Sequence, residues 1–68
     1  MKYLVIYEKS AEGWGAYAPD LPGLGVGGRT LDEVKELIRE AVEFHLEGMR
    51  QNGDPIPAPS ATTEYITV

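Results

Sequence analysis

Apolar and polar positions along the chain change period more than once, and each change predicts an element. From Lys2 to Lys9, Tyr3, Val5 and Tyr7 alternate with Leu4 and Ile6, and this β-branched and aromatic run predicts a strand with both faces at least partly covered. Ser10-Ala11-Glu12-Gly13 has turn chemistry, and Trp14 to Ala18 resumes extended character until Pro19; the two runs together predict a hairpin. Gly25 to Gly28 predicts a short third strand, weakened by its glycines. From Leu31 the spacing becomes helical. Leu31, Val34, Leu37, Ile38, Ala41, Phe44, His45 and Met49 fall on one side, with Asp32, Lys35, Glu36, Arg39, Glu43, Glu47 and Arg50 on the other. Asn52-Gly53 followed by Pro55 is a helix stop. Gly53 to Ser60 reads as a proline-rich connector and Thr62 to Val68 as a final β-prone run. The expected fold is α+β: a single small domain, residues 1–68, of order β-β-β-α-β, with one helix packed on one face of a three- to four-stranded sheet.

The stretch from Asp20 to Glu33 carries the densest local information. Pro19 and Pro22 cannot donate to a sheet ladder, so they bound a turn around Asp20, and Gly23 and Gly28 suit close backbone approach. Thr30-Leu31-Asp32-Glu33 spells a capping box, in which the Thr30 hydroxyl accepts the Glu33 backbone N–H and the Glu33 carboxylate reaches back to the Thr30 N–H. Gly23-x-Gly25-x-x-Gly28 matches a dinucleotide fingerprint in letters only. Prolines interrupt its approach, and Asp32 and Glu33 put negative charge where a phosphate would sit, so structural glycines are the better reading. On the first strand Tyr3, Val5 and Tyr7 share one face and Leu4 and Ile6 the other. Assigning the smaller aliphatic pair to the helix leaves a tyrosine-rich face in want of a partner.

Charge and size then narrow the function. Six Lys and Arg stand against 11 Asp and Glu, a net charge of −5. Phosphate binding rewards the opposite sign, so direct nucleic-acid binding is disfavoured and a basic protein partner is favoured. A chain of this length buries only ~60% of the surface its unfolded form exposes. It has no cysteine to staple it, which makes homo-oligomerisation the expected remedy. No apolar run approaches the ~20 residues a membrane span needs, and the chain opens without a signal segment. The expected location is cytoplasmic.

Catalytic chemistry has little to build on. His45 is the sole histidine, so no histidine cluster or dyad forms within one chain. Its place on the apolar helix side reads as a packed, hydrogen-bonded core residue, the alternative being a pH-sensitive contact at a subunit interface. Glu8 and Asp20 lead the few carboxylates off the helix, and they form no convincing cluster for metal-assisted hydrolysis. No catalytic, cofactor or metal residues are therefore assigned. Tyr3, Tyr7, Trp14, Tyr17 and Tyr65 resemble a base-stacking platform in composition, but the surrounding charge has the wrong sign, so they read as core or as a partner or oligomer interface.

With these residues in place, the chain resembles the N-terminal domain of HicB-type antitoxins. The resemblance lies in Gly13-Trp14-x-Ala16-x-x-Pro19-Asp20-Leu21-Pro22-Gly23, in Gly28-x-Thr30-x-x-Glu33, in Glu40-Ala41-x-Glu43, and in Gly53-x-Pro55-x-Pro57-x-Pro59-Ser60. It implies a partial, degenerate RNase H-like fold and a non-enzymatic role, the neutralisation of a small basic HicA-like toxin that cleaves mRNA. Leu24 stands where the family often has Cys. Many family members carry a C-terminal helix-turn-helix or ribbon-helix-helix domain, whereas the expectation here is one HicB-like domain without a separate DNA-binding domain. Two other readings stay open: a vestigial RNase H-like metal-dependent nuclease, and a solitary homo-oligomeric protein with a non-toxin partner.

Overall fold

A computed structural model describes residues 1–68. Three antiparallel strands, β1 (Ile6–Ser10), β2 (Gly13–Tyr17) and β3 (Gly25–Gly28), form a sheet of order β1-β2-β3, and one helix, α1 (Leu31–Asn52), packs against it. The β1–β2 hairpin pairs Ser10 with Gly13, so Ala11 and Glu12 alone form its loop. Gly13 is obligatory there, because a Cβ at this position would run into the Gly28 carbonyl oxygen of the neighbouring segment.

The helix ends follow from their sequence. Thr30 is extended, and its Oγ1 accepts the Glu33 N–H at 3.1 Å. Only this half of the capping box forms. The Glu33 carboxylate turns instead toward Gly28, where an added Cβ would lie 2.7 Å from its Oε1. At the other end Gly53 adopts φ 74°, its N–H reaches the Arg50 carbonyl at 3.2 Å, and the Asp54 N–H reaches that of Met49 at 2.9 Å. This is a Schellman-type stop that satisfies the last carbonyls. Asp32 and Glu33 in the first turn and Arg50 in the last complement the helix dipole.

The core lies between α1 and one face of the sheet. Ala16, Val34 and Ile38 form one buried cluster and Ala18, Leu21 and Leu46 a second, joined by half-buried Val5, Leu24 and Val42. Burying a Val or Ile side chain contributes ~1.5–3 kcal/mol, so Val34 and Ile38 hold much of the helix to the sheet. The connector returns over this core: Ile56 packs on the second cluster, and the Tyr3 hydroxyl donates to the Pro57 carbonyl.

Four further expectations about the elements are corrected. First, Tyr7 pairs with Ala16, the buried residue of β2, and Val5 packs on both clusters, so the Tyr3–Val5–Tyr7 face is the one turned to the helix. Ile6, paired with Tyr17, lies on the opposite face. Trp14, Ala16 and Val26 give the helix face apolar side chains to bury, whereas the opposite face presents Gly15, Gly25 and Gly27, and this decides which face is covered. Second, the strand expected from Lys2 begins at Ile6, because nothing pairs with the residues before it. Third, residues 54–68 contain no strand, so the sheet has three strands and the final run near Tyr65 stays unpaired. Fourth, Phe44 is 84% exposed. At 3.6 residues per turn it falls well to one side of the Val34–Ile38–Leu46 line. No helix is long and apolar enough to cross a membrane.

Candidate interaction surfaces

The loop between β2 and β3 is built to present one carboxylate. Leu21 is buried beneath it, the Leu21 N–H bonds the Ala18 carbonyl at 3.0 Å, and the Leu24 N–H bonds that of Leu21 at 3.3 Å. Gly23 takes φ 84° between them, a conformation that favours glycine. Asp20 is thereby held facing the returning connector. Its carboxylate accepts the Ser60 N–H at 3.0 Å, the Ala61 N–H at 3.1 Å and the Ser60 hydroxyl at 3.0 Å. The Ala61 and Ser60 backbone donors hold the Asp20 carboxyl below the usual carboxylate range; desolvation opposes them, and the Ser60 hydroxyl adds to the lowering. This knot joins residues 40 and 41 positions apart. The turn around Asp20 and the connector ending at Ser60 are each legible in the chain, but nothing in their spacing joins them. Asp20 is thus engaged in holding the chain together, and no three His, Asp or Glu side chains gather closely enough to hold a metal ion.

The five aromatic residues expected at an interface do not gather on one surface. Tyr3 and Tyr7 line a groove of about 400 Å³ between the start of the chain and α1. Trp14 is half-buried against the first core cluster, with Lys9 Nζ 6.0 Å from its ring centroid. Tyr17 sits on the sheet face away from the helix, and Tyr65 stands fully exposed in the tail. The tail meets the body in a further groove of about 400 Å³, where Thr63, Glu64 and Tyr65 face Val5, Ile6 and Tyr7.

The surface that sequence reasoning missed lies on α1. Phe44, expected in the core, projects beside a groove of about 500 Å³ that also takes in Leu24, Ala41, His45 and Met49. His45 is only half-buried there, and no polar or charged residue of the protein is buried, which corrects the expectation of a core histidine. Around Phe44 the helix exposes Glu40, Glu43 and Glu47. Counting the whole helix, Asp32, Glu33, Glu36, Glu40, Glu43 and Glu47 are exposed against Lys35, Arg39 and Arg50. The single ion pair, Arg50 to Glu47 at 3.4 Å, is solvent-exposed and contributes little. The result is a large exposed aromatic in an acidic field.

Comparison with known proteins agrees with the sequence motifs. The family described as the HicB-like antitoxin of bacterial toxin–antitoxin systems matches residues 3–67. A UPF0150 protein of Thermoplasma acidophilum is 36% identical over 69 residues, covering 100% of this chain and 97% of the relative. A UPF0150 protein of Archaeoglobus fulgidus is 38% identical over 48 residues, covering 69% of this chain and 70% of the relative. An uncharacterised 14.9 kDa protein from the rep-hol intergenic region of Haemophilus phage HP1 is 35% identical over 66 residues. That alignment covers 97% of this chain but 50% of the phage protein, so the chain spans about half of that relative's length. No solved structure matches.

Proposed function

The chain belongs to the HicB-like antitoxin family of bacterial toxin–antitoxin systems, and we propose that it is a binding module that sequesters a small, basic, mRNA-cleaving toxin of the HicA type. The observation that carries this reading is Phe44, 84% exposed among Glu40, Glu43 and Glu47 on a chain of net charge −5. Like-signed carboxylates steer a cationic partner toward the helix, while the aromatic beside them supplies the apolar anchor typical of interface hot spots. Toxin and antitoxin meet in the cytoplasm, where the mRNA substrate of such a toxin lies. Neutralisation then proceeds by covering the toxin's cationic surface, with no reaction on the antitoxin, no cofactor and no direct nucleic-acid contact. The module also self-associates, which compensates for a core of six buried residues.

The test is binding kinetics with a HicA-like protein encoded beside this chain. The association rate should fall as salt rises, since such attraction is screened over ~8 Å at physiological ionic strength. Replacing Glu40, Glu43 and Glu47 together by Gln should slow association. Phe44→Ala should mainly raise the dissociation rate, with an unchanged circular dichroism spectrum because the side chain is outside the core. Absence of a complex, or a complex indifferent to both changes, contradicts the proposal.

A further inference from the structure

The last seven residues, Thr62-Thr63-Glu64-Tyr65-Ile66-Thr67-Val68, are β-branched or aromatic except for Glu64. Few stretches of the chain are better suited to a strand, yet none of it is one. Tyr65 is 105% exposed, Ile66 75% and Val68 117%. Successive strand residues point to opposite faces, so both faces of this segment are open to solvent. The backbone bonds outside helix and strands all lie between Ala18 and Asp54, which leaves the N–H and C=O groups of 62–68 unpaired.

The segment nonetheless leaves the body from a fixed point. Asp20 grips the Ser60 N–H and hydroxyl and the Ala61 N–H within 3.1 Å, so the residues just before it are tethered to the β2–β3 loop. A strand presented from a fixed base has already met part of the ordering cost of binding. An acceptor for it exists on the same molecule. Strand β1 pairs with β2 alone, so its outer edge carries free ladder groups. The chain's own tail passes that edge without bonding to it, leaving an open groove between Val5, Ile6 and Tyr7 on one side and Thr63, Glu64 and Tyr65 on the other.

We propose that residues 62–68 pair with the outer edge of β1 in a second copy of this chain, each copy donating its tail to the other. The occupant is a second copy because donor and acceptor lie on one chain. Reciprocal exchange satisfies both at once and closes under a two-fold axis. A foreign strand on β1 would leave Tyr65, Ile66 and Val68 uncovered. This inference rests on the self-association included in the proposed function and specifies which segments make it.

Light scattering and cross-linking test it on the full chain. The wild type should be a dimer at micromolar concentration. Ile66→Pro removes a ladder donor from the tail and should raise the dimer dissociation constant by about tenfold or more, with the circular dichroism spectrum of the body retained. The chain has no cysteine, so a disulfide between an Ile6→Cys chain and a separately tagged Tyr65→Cys chain can only join two copies. Under mild oxidation the mixed-tag product should form. A dimer that Ile66→Pro leaves intact and that yields no mixed-tag product overturns strand exchange while self-association stands. A wild type that is monomeric at the same concentration overturns both. Toxin binding is read separately, so neither result is confused with the antitoxin reading.

Discussion

Val34 and Ile38 in the helix and Ile66 and Val68 in the tail are the same kinds of side chain in opposite surroundings. The first pair is 0% and 2% exposed, the second 75% and 117%. Composition does not separate them; the presence of a surface to lie on does. The helix has the Ala16 face of the sheet beneath it, whereas the tail has nothing of its own chain that covers it. The boundary between the two regions sits at Ser60 and Ala61, where Asp20 ties the connector to the packed body. Apolar character beyond that boundary is surface that the body leaves uncovered.

The contrast can be broken from either side. Ile38→Ala opens a cavity in the first cluster and should cost ~2–5 kcal/mol, a large share of the stability of so small a domain. Ile66→Ala should leave the melting of the dilute full-length chain unchanged and act only on assembly. Equal losses in thermal melts of the two variants would erase the distinction. Within the sheet, Gly13→Ala drives a methyl into the Gly28 carbonyl and should cost about 1–3 kcal/mol through forced backbone movement. Gly15→Ala, whose Cβ would rest 3.6 Å from the Val26 carbonyl oxygen, should stay within about 0.5 kcal/mol. Denaturant titration ranks the pair. Thr30→Ala removes the acceptor of the Glu33 N–H and should cost ~1 kcal/mol; an unchanged midpoint would show that the cap contributes nothing.

The smallest expected effect sharpens the boundary itself. The Asp20 pKa is lowered in the folded protein by the Ala61 and Ser60 donors. The knot's contribution is therefore fully present above the ordinary carboxylate range and is lost as pH falls through the lowered folded value. Amide resonances of Ser60 and Ala61 should shift in that acidic window and stay constant at neutral pH. Asp20→Asn should abolish this titration. A Ser60 or Ala61 transition that survives the substitution would assign the anchor to another group.

Much of this fold was legible because local rules and tertiary needs agree. Thr30, Gly53 and the change of period at Leu31 delimit the helix without help from the rest of the chain, and the turn residues around Gly13 delimit the hairpin. The face assignment on β1 was not legible. Alternation groups Tyr3, Val5 and Tyr7 together, but which group is buried depends on the neighbouring strands, whose helix face carries Trp14, Ala16 and Val26 while the other carries glycines. Phe44 illustrates the same limit on a helix, since an apolar residue at the margin of the stripe belongs to the core only if the sheet extends beneath it. The Asp20–Ser60 knot left no periodic trace, because a contact across 40 residues is a product of the fold. The tail's strand propensity was legible, but the absence of a partner within the chain was not, and that absence is what directs attention to assembly.

Amide hydrogen exchange at two protein concentrations tests the division of the molecule most directly. The account predicts that amides of the paired β2 residues and of the helix around Val34 and Ile38 are protected at both concentrations. Amides of residues 62–68 should exchange freely in dilute monomer and gain protection only when the protein is concentrated into dimers. Protection of 62–68 in the dilute monomer would mean that the tail pairs within its own chain, and it would contradict the account.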